Sequence, residues 1–220
     1  IIDKLLSKKT FAELNENICL LKYERNDIIS SELSKIANAR IIRGSDETIS
    51  LFKNFTTLPR CVDIMFSNRY SSSIINPTSL ENLNDRDFSQ LLEKFYRDAY
   101  IMDQKGCSSP QSVIWFGKGK KRVKDKFWNK LNDYVSSKYE DNLSVTNHKI
   151  NEIALTAAKS NIFYKAHYQN FKLVRYDFKD KLIEIPYLRG SFGVFSEYSI
   201  NNLNDLTPII ANNFQTLTYF

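Results

Sequence analysis

Of the three cysteines in this 220-residue chain, Cys107 stands where a side chain can do chemistry. It lies in Asp103-Gln104-Lys105-Gly106-Cys107-Ser108-Ser109-Pro110. That is a polar loop bracketed by Gly and Pro, and such loops are where accessible nucleophiles collect. An ordinary thiol of pKa about 8.5 is only about 3% thiolate at neutral pH, so half ionisation asks for roughly 2 kcal/mol of differential stabilisation. Lys105 and the loop amides are candidate sources; a preceding helix presents its C-terminal end, the wrong sign of dipole. Cys19 and Cys61 fall in the apolar runs Ile18 to Leu21 and Cys61 to Phe66, and read as small core hydrophobes. Loop context alone leaves Cys107 as either a nucleophile or an incidental surface thiol.

Other reactive residue types are sparse. His148 and His167 are the only histidines, and neither has zinc-ligand spacing to a cysteine pair, so no metal is expected. His148 reads as a surface residue and His167, beside Tyr164 and Tyr168, as a packed or hydrogen-bonded one. Lys118, Lys120, Lys121, Arg122, Lys124 and Lys126 form a basic run. It suits the phosphates of NADPH or CoA, or a nucleic acid, or else a solvated loop and the exposed face of the next helix.

These residues must be held by elements the pattern predicts. Phe88, Leu91, Leu92, Phe95, Tyr96, Ala99 and Tyr100 share one face of a helix that runs into the Cys107 loop, and Ser112 to Phe116 is the strand that follows it. Val123 to Val135 is a second amphipathic helix. Earlier in the chain, Ile18 to Leu21, Arg40 to Ile42, Cys61 to Phe66 and Ser73 to Ile75 read as strands. Helices are expected from Ser30 to Ala39, capped by Ser30 or Ser31, and from Ile49 onward. Later come a helix over Asn151 to Lys159 and strands over Phe171 to Phe178, Leu182 to Ile185 and Phe192 to Phe195. A helix over Asn204 to Ala211 precedes a closing strand, Gln215 to Phe220. Strand-helix-strand order with short connections predicts parallel βαβ units. The polar segment Pro77 to Asp87 divides residues 1–80, a partial nucleotide-binding lobe, from residues 81–220, a second α/β lobe.

Composition sets the outer bounds. The chain is 42% hydrophobic, with 15 Phe, 12 Tyr, 6 Gly and 5 Pro, which excludes disordered, collagen-like and linker-like sequences. Its net charge is +6, and no run reaches the roughly 20 apolar residues of a membrane span. The expectation is a cytoplasmic protein without an export signal, its thiols free. Ile1 and the strand-like ending at Phe220 read as cuts through a larger fold.

The segment from Tyr96-Arg97-Asp98-Ala99-Tyr100 through Cys107-Ser108-Ser109-Pro110-Gln111 resembles the nucleophile segment of the LuxC-type acyl-CoA reductases, members of the aldehyde dehydrogenase superfamily. Ala39 to Thr48 is similar to the strand, glycine turn and helix by which that superfamily holds the nicotinamide end of its cofactor. Arg69 to Ile75, Glu184-Ile185-Pro186, Arg189 to Phe192 and Gln215 to Phe220 extend the likeness over nearly the whole chain. The resemblance implies an aldehyde dehydrogenase-like catalytic domain with a partial Rossmann-like lobe, and NADPH-dependent reduction of a fatty acyl-CoA or acyl-protein thioester through a thioacyl Cys107. It implies Arg43, Gly44 and Ser45 as cofactor contacts, although a glycine there also makes an ordinary turn. An acyl-protein synthetase partner and a homo-oligomer are further implications, with no nucleic acid and no membrane span.

One departure bears on the reaction. Ordinary aldehyde dehydrogenases place a glutamate base in a segment that corresponds to Ile64-Met65-Phe66-Ser67-Asn68-Arg69, which holds no acid; Asp63 is the nearest. Without a base to activate water, a thioacyl enzyme survives to be reduced. The superfamily's oxyanion-hole asparagine is expected outside this sequence. Two other readings compete. Ketosynthases share a Cys-Ser-Ser segment but need two downstream histidines in a glycine-rich duplicated fold, and a basic binding module leaves the Cys107 loop without a purpose.

Overall fold

The computed structural model describes residues 2–159, 163–178 and 190–220. The strand expected at Leu182 to Ile185, the family segment Glu184-Ile185-Pro186 and Arg189 lie outside them. The chain divides into two compact units, Ile1–Ser67 and Asn68–Phe220. The division precedes the Pro77 to Asp87 segment, because the strand at Tyr70–Ile75 pairs on both sides with strands of the second unit.

In the first unit, short helices α1 (Ile2–Leu6) and α2 (Ala12–Asn17) precede α3 (Asp27–Ile36), β1 (Ala39–Arg43), α4 (Asp46–Lys53) and β2 (Val62–Phe66). β1 and β2 are parallel, in register from Ala39↔Val62 to Arg43↔Phe66, with α4 as the crossover. This is one of the expected βαβ units. α3 starts earlier than the serine caps suggest, because the Asn26 side chain accepts from the amides of Ile28 and Ile29. Ser30 and Ser34 instead turn their hydroxyls back on the carbonyls of Asn26 and Ser30. Ile18 to Leu21 forms no strand, and Cys19 is exposed, which corrects the core reading of that thiol. A four-residue apolar run does not make a strand without a partner, and β1 bonds only to β2 among the described residues. Cys61, just before β2, is partly buried.

The second unit is a mixed α/β layer structure. Its elements are β3 (Tyr70–Ile75), α5 (Pro77–Glu81), α6 (Asp85–Tyr100), β4 (Pro110–Phe116), α7 (Lys121–Lys138), α8 (Leu143–Lys159), β5 (Phe163–Tyr168), β6 (Val174–Phe178), β7 (Val194–Ile200) and β8 (Phe214–Tyr219). The sheet order is β5-β6-β7-β4-β3-β8, parallel throughout except for β5 against β6. β3 and β4 are interior strands buried on both faces, as strands of a parallel sheet covered by other layers are. Alternation in β4 sends Val113 and Trp115 to one face and Ile114 to the other. The first face packs on Phe88, Leu92 and Phe95 of α6 and Phe127, Trp128 and Leu131 of α7. Phe95 lies 5.5 Å from both Phe127 and Phe195, ring centre to ring centre. The second face is covered by Leu206, Ile209 and Phe214.

The helix expected over Asn204 to Ala211 is only a 3-10 turn, Leu203–Leu206, capped reciprocally by Asn202 and Asp205. Pro208 has no N–H to return to the Asn204 carbonyl, so the turn does not extend. Among the described residues no helix is long and apolar enough to cross a membrane.

Candidate functional site

The Cys107 loop begins with a backbone reversal at the end of α6. Asp103 and Gln104 have φ of 51° and 60°, two successive left-handed residues that are not glycine. Such conformations persist where surrounding bonds over-determine them, and they gather at active sites. The bonds here are explicit. Gln104 is 1% exposed. Its Nε2 donates to the carbonyls of Pro110 (2.8 Å) and Val194 (2.9 Å), and its Oε1 accepts from the amides of Gly193 (3.0 Å) and Val194 (3.1 Å). The Asp103 carbonyl accepts from Phe192 N–H at 3.0 Å.

The Asp103 carboxylate accepts the Tyr139 hydroxyl at 2.7 Å. Burial first, and this carboxylate second, push the Tyr139 phenol well up. Gly193 completes the staple: φ is 87°, and a Cβ there would meet Lys172 O at 2.4 Å and the Tyr100 ring at 2.7 Å.

Cys107 itself is exposed. Ser71 Oγ, from β3, donates to the Cys107 carbonyl at 2.7 Å. Gln215 Nε2, from β8, donates to Cys107 Sγ at 3.1 Å. The nucleophile candidate is thus held at its carbonyl by one strand and at its sulfur by the neighbouring one. Lys105, a candidate source of thiolate stabilisation, places its ammonium 4.1 Å over the Phe192 ring, while the side chain on the sulfur is Gln215. Four residues beyond Cys107, Gln111 Oε1 is buried with no hydrogen-bond partner among the described residues.

Arg43, Gly44 and Ser45 lie in the first unit and Cys107 in the second. Arg43 ends β1 and is exposed; Gly44 N–H donates to Phe66 O at 3.2 Å. Ser45 is the N-cap of α4, its Oγ accepting from Thr48 N–H at 3.2 Å. The first turn of α4 carries Asp46 and Glu47, whose charges already complement the helix dipole. A turn so furnished suits the hydroxyls of a ribose better than a second anion such as a phosphate.

Asp63 is committed elsewhere. Opposite it in the β1–β2 ladder, the buried Arg40 grips both carboxylate oxygens, Nε to Oδ1 at 2.7 Å and Nη2 to Oδ2 at 2.6 Å. These bonds hold the Asp63 carboxyl below its usual range. Much of the basic run is likewise absorbed. Lys120 and Arg122 both bind Glu81, Lys124 binds Ser199, and Lys126 lies 4.8 Å over the Phe88 ring. His148 Nε2 meets Ser191 and Glu152 at the surface, and His167 Nε2 meets Asp177 Oδ2 at 2.6 Å.

Residue type alone does not single out Ser71, Gln104 or Gln215. Gln104 is an unremarkable polar residue at a helix end, and contacts between distant strands leave no local pattern.

Solved structures share this fold. A lactaldehyde dehydrogenase from Escherichia coli aligns over 96% of this chain and 53% of its own, at 14% identity and a TM-score of 0.55. An aldehyde dehydrogenase from Bartonella henselae aligns over 87% of this chain and 44% of its own, at 10% identity and a TM-score of 0.56. An NADP-dependent enzyme of Escherichia coli covers 87% and 47%, at 12% identity and a TM-score of 0.51. The chain therefore spans about half the length of the solved structures it matches. No curated protein matches it in sequence. The profile of the acyl-CoA reductase (LuxC) family matches residues 1–162, and the chain belongs to that family.

Proposed function

We propose that this chain carries the nucleophile of an acyl-CoA reductase, with Cys107 as that nucleophile and the Arg43-Gly44-Ser45 turn as a contact for the nicotinamide end of NADPH. The observation that carries the reading is the exposed Cys107 sulfur in a loop fixed on both flanks, in a chain of the acyl-CoA reductase family. Fixing the loop holds the nucleophile in one geometry and lowers the entropy cost of attack.

The Cys107 thiolate attacks the thioester carbonyl of a fatty acyl-CoA. A sulfur–carbon bond forms and the carbonyl electron pair moves to oxygen, where the Cys107 backbone N–H is a donor; loss of such a donor typically costs about 2.7 to 4 kcal/mol. The pair returns, the bond to the CoA sulfur breaks, and CoA leaves as a thiolate that takes up a proton. Cys107 now holds the acyl group as a thioester. When bound, NADPH supplies the hydride that reduces this thioester to a hemithioacetal. Loss of the hemithioacetal proton expels Cys107 thiolate and frees the aldehyde.

In this reading the donor is a fatty acyl-CoA or an acyl-protein, the partner an acyl-protein synthetase, the assembly a homo-oligomer and the location the cytoplasm. Protein acylated with a labelled acyl-CoA and then given NADPH should release the label as aldehyde in a single turnover. Release as free acid would overturn the reductase assignment.

A further inference from the structure

The two neighbours of β3 are both irregular at one level of the sheet. In β8 the pairing steps from Tyr70↔Phe214 to Ser71↔Thr216, so Gln215 is the extra residue of a bulge. In β4 it steps from Ser71↔Pro110 to Ser72↔Ser112, so Gln111 is extra. A bulge bends its strand and re-aims the side chain it carries. At Gln215 the result is an amide N–H on the Cys107 sulfur, while Ser71, the residue at which both registers shift, holds the Cys107 carbonyl. Without the bulge, residues after Phe214 would keep strict alternation in the ladder, with no residue set aside from the pairing to face the loop.

We infer that Gln215 is a catalytic residue that stabilises the Cys107 thiolate by a charge-assisted N–H···S⁻ hydrogen bond, and that the β8 bulge exists to deliver it. The inference rests on the proposed role of Cys107. An amide N–H bonds a thiolate more strongly than a thiol, because hydrogen bonds to ionised acceptors are the stronger kind. The nucleophile therefore gains its anionic form from a neutral neighbour. That neighbour carries no charge to hold the sulfur back once it becomes a neutral thioester sulfur.

The test measures the rate at which iodoacetamide alkylates Cys107, followed by peptide mass spectrometry between pH 6 and 9. Three variants of the protein are compared with the wild type: Gln215→Met, which keeps side-chain length, Gln215→Asn, which withdraws the amide by one methylene, and Gln215→Glu. Cys19 serves as an internal reference, since it is exposed in the other unit. Gln215→Met and Gln215→Asn should each slow Cys107 alkylation at pH 7 about tenfold and move the midpoint of its pH profile upward, Cys19 being unaffected. Gln215→Glu, which places a second negative charge at the sulfur, should slow it further.

Wild-type rates for Cys107 in the Met and Asn variants would overturn the inference. If Gln215→Met disturbs β8, the Asn variant, verified by its melting temperature, decides alone. Acylation of the wild type by acyl-CoA is measured in parallel. Failure of that arm removes the reductase reading and leaves the alkylation profiles to report on Gln215.

Discussion

Gln104 and Val194, ninety positions apart, are joined twice, the side-chain amide of one to the main chain of the other: Gln104 Nε2 donates to Val194 O at 2.9 Å and Val194 N–H donates to Gln104 Oε1 at 3.1 Å. The side chain thus imitates one rung of a β-ladder between the Cys107 loop and the start of β7. Two more bonds, to Pro110 O and from Gly193 N–H, use up its hydrogen-bonding capacity in a site closed to water. Leaving such groups unpaired in a buried site costs about 1 to 3 kcal/mol each, though not additively. Gln104→Leu should therefore destabilise the protein by about 3 kcal/mol, read as a lowered denaturant midpoint. A midpoint equal to wild type would show that the staple contributes nothing.

Ser71→Ala removes the donor to the Cys107 carbonyl without exposing a cavity of consequence. The expected outcome is a variant folded like the wild type that is acylated by acyl-CoA several-fold more slowly, because the loop keeps Gln104 but loses its tether to β3. Rate constants from single-turnover acylation check this.

The Arg40–Asp63 pair sets a pH dependence for the first unit. Bonds from Arg40 lower the folded-state pKa of Asp63, so the stabilisation is present above the ordinary carboxylate range and is lost as pH falls through the lowered value. In Asp63→Asn this acid-labile contribution should be absent, and stability near neutral pH should be lower than in wild type because Arg40, 8% exposed, keeps its charge without a counter-charge. Chemical denaturation of both proteins between pH 3 and 7 provides the comparison.

Lys149 reports on the second unit. Its side chain is buried, donates to Phe171 O and lies 3.9 Å from Asp141. Burial pulls its pKa down to about 8. At this group the unfolded chain binds more protons than the folded one between pH 8 and the ordinary lysine value, so its contribution to stability rises with pH across that window. Replacement by methionine, Lys149→Met, should flatten the rise between pH 8 and 10. A rise of the same size in Lys149→Met and wild type would count against a buried ammonium.

Where sequence periodicity was strong, the fold was legible. The seven apolar residues of α6 define its buried face, and Val113, Ile114 and Trp115 of β4 sit where an apolar run beside a helix predicts a doubly buried strand. Periodicity failed where it was short: Ile18 to Leu21 is too brief to distinguish a strand from an exposed run, and Pro208 cuts the last helix to a turn. Of the site, the Cys107 loop was legible from Gly106 and Pro110. Its supports were not, since Gln104, Ser71 and Gln215 act across 90, 36 and 108 positions and through a strand bulge that no local spacing encodes.

Intact-protein and peptide mass spectrometry after incubation with a fatty acyl-CoA shows whether Cys107 accepts the acyl group. The prediction is one hydroxylamine-labile acyl group per chain, located on the Cys107 peptide and absent from Cys107→Ser, with Cys19 and Cys61 unlabelled. An acyl group that persists in Cys107→Ser, or that maps to another residue in the wild type, would contradict it.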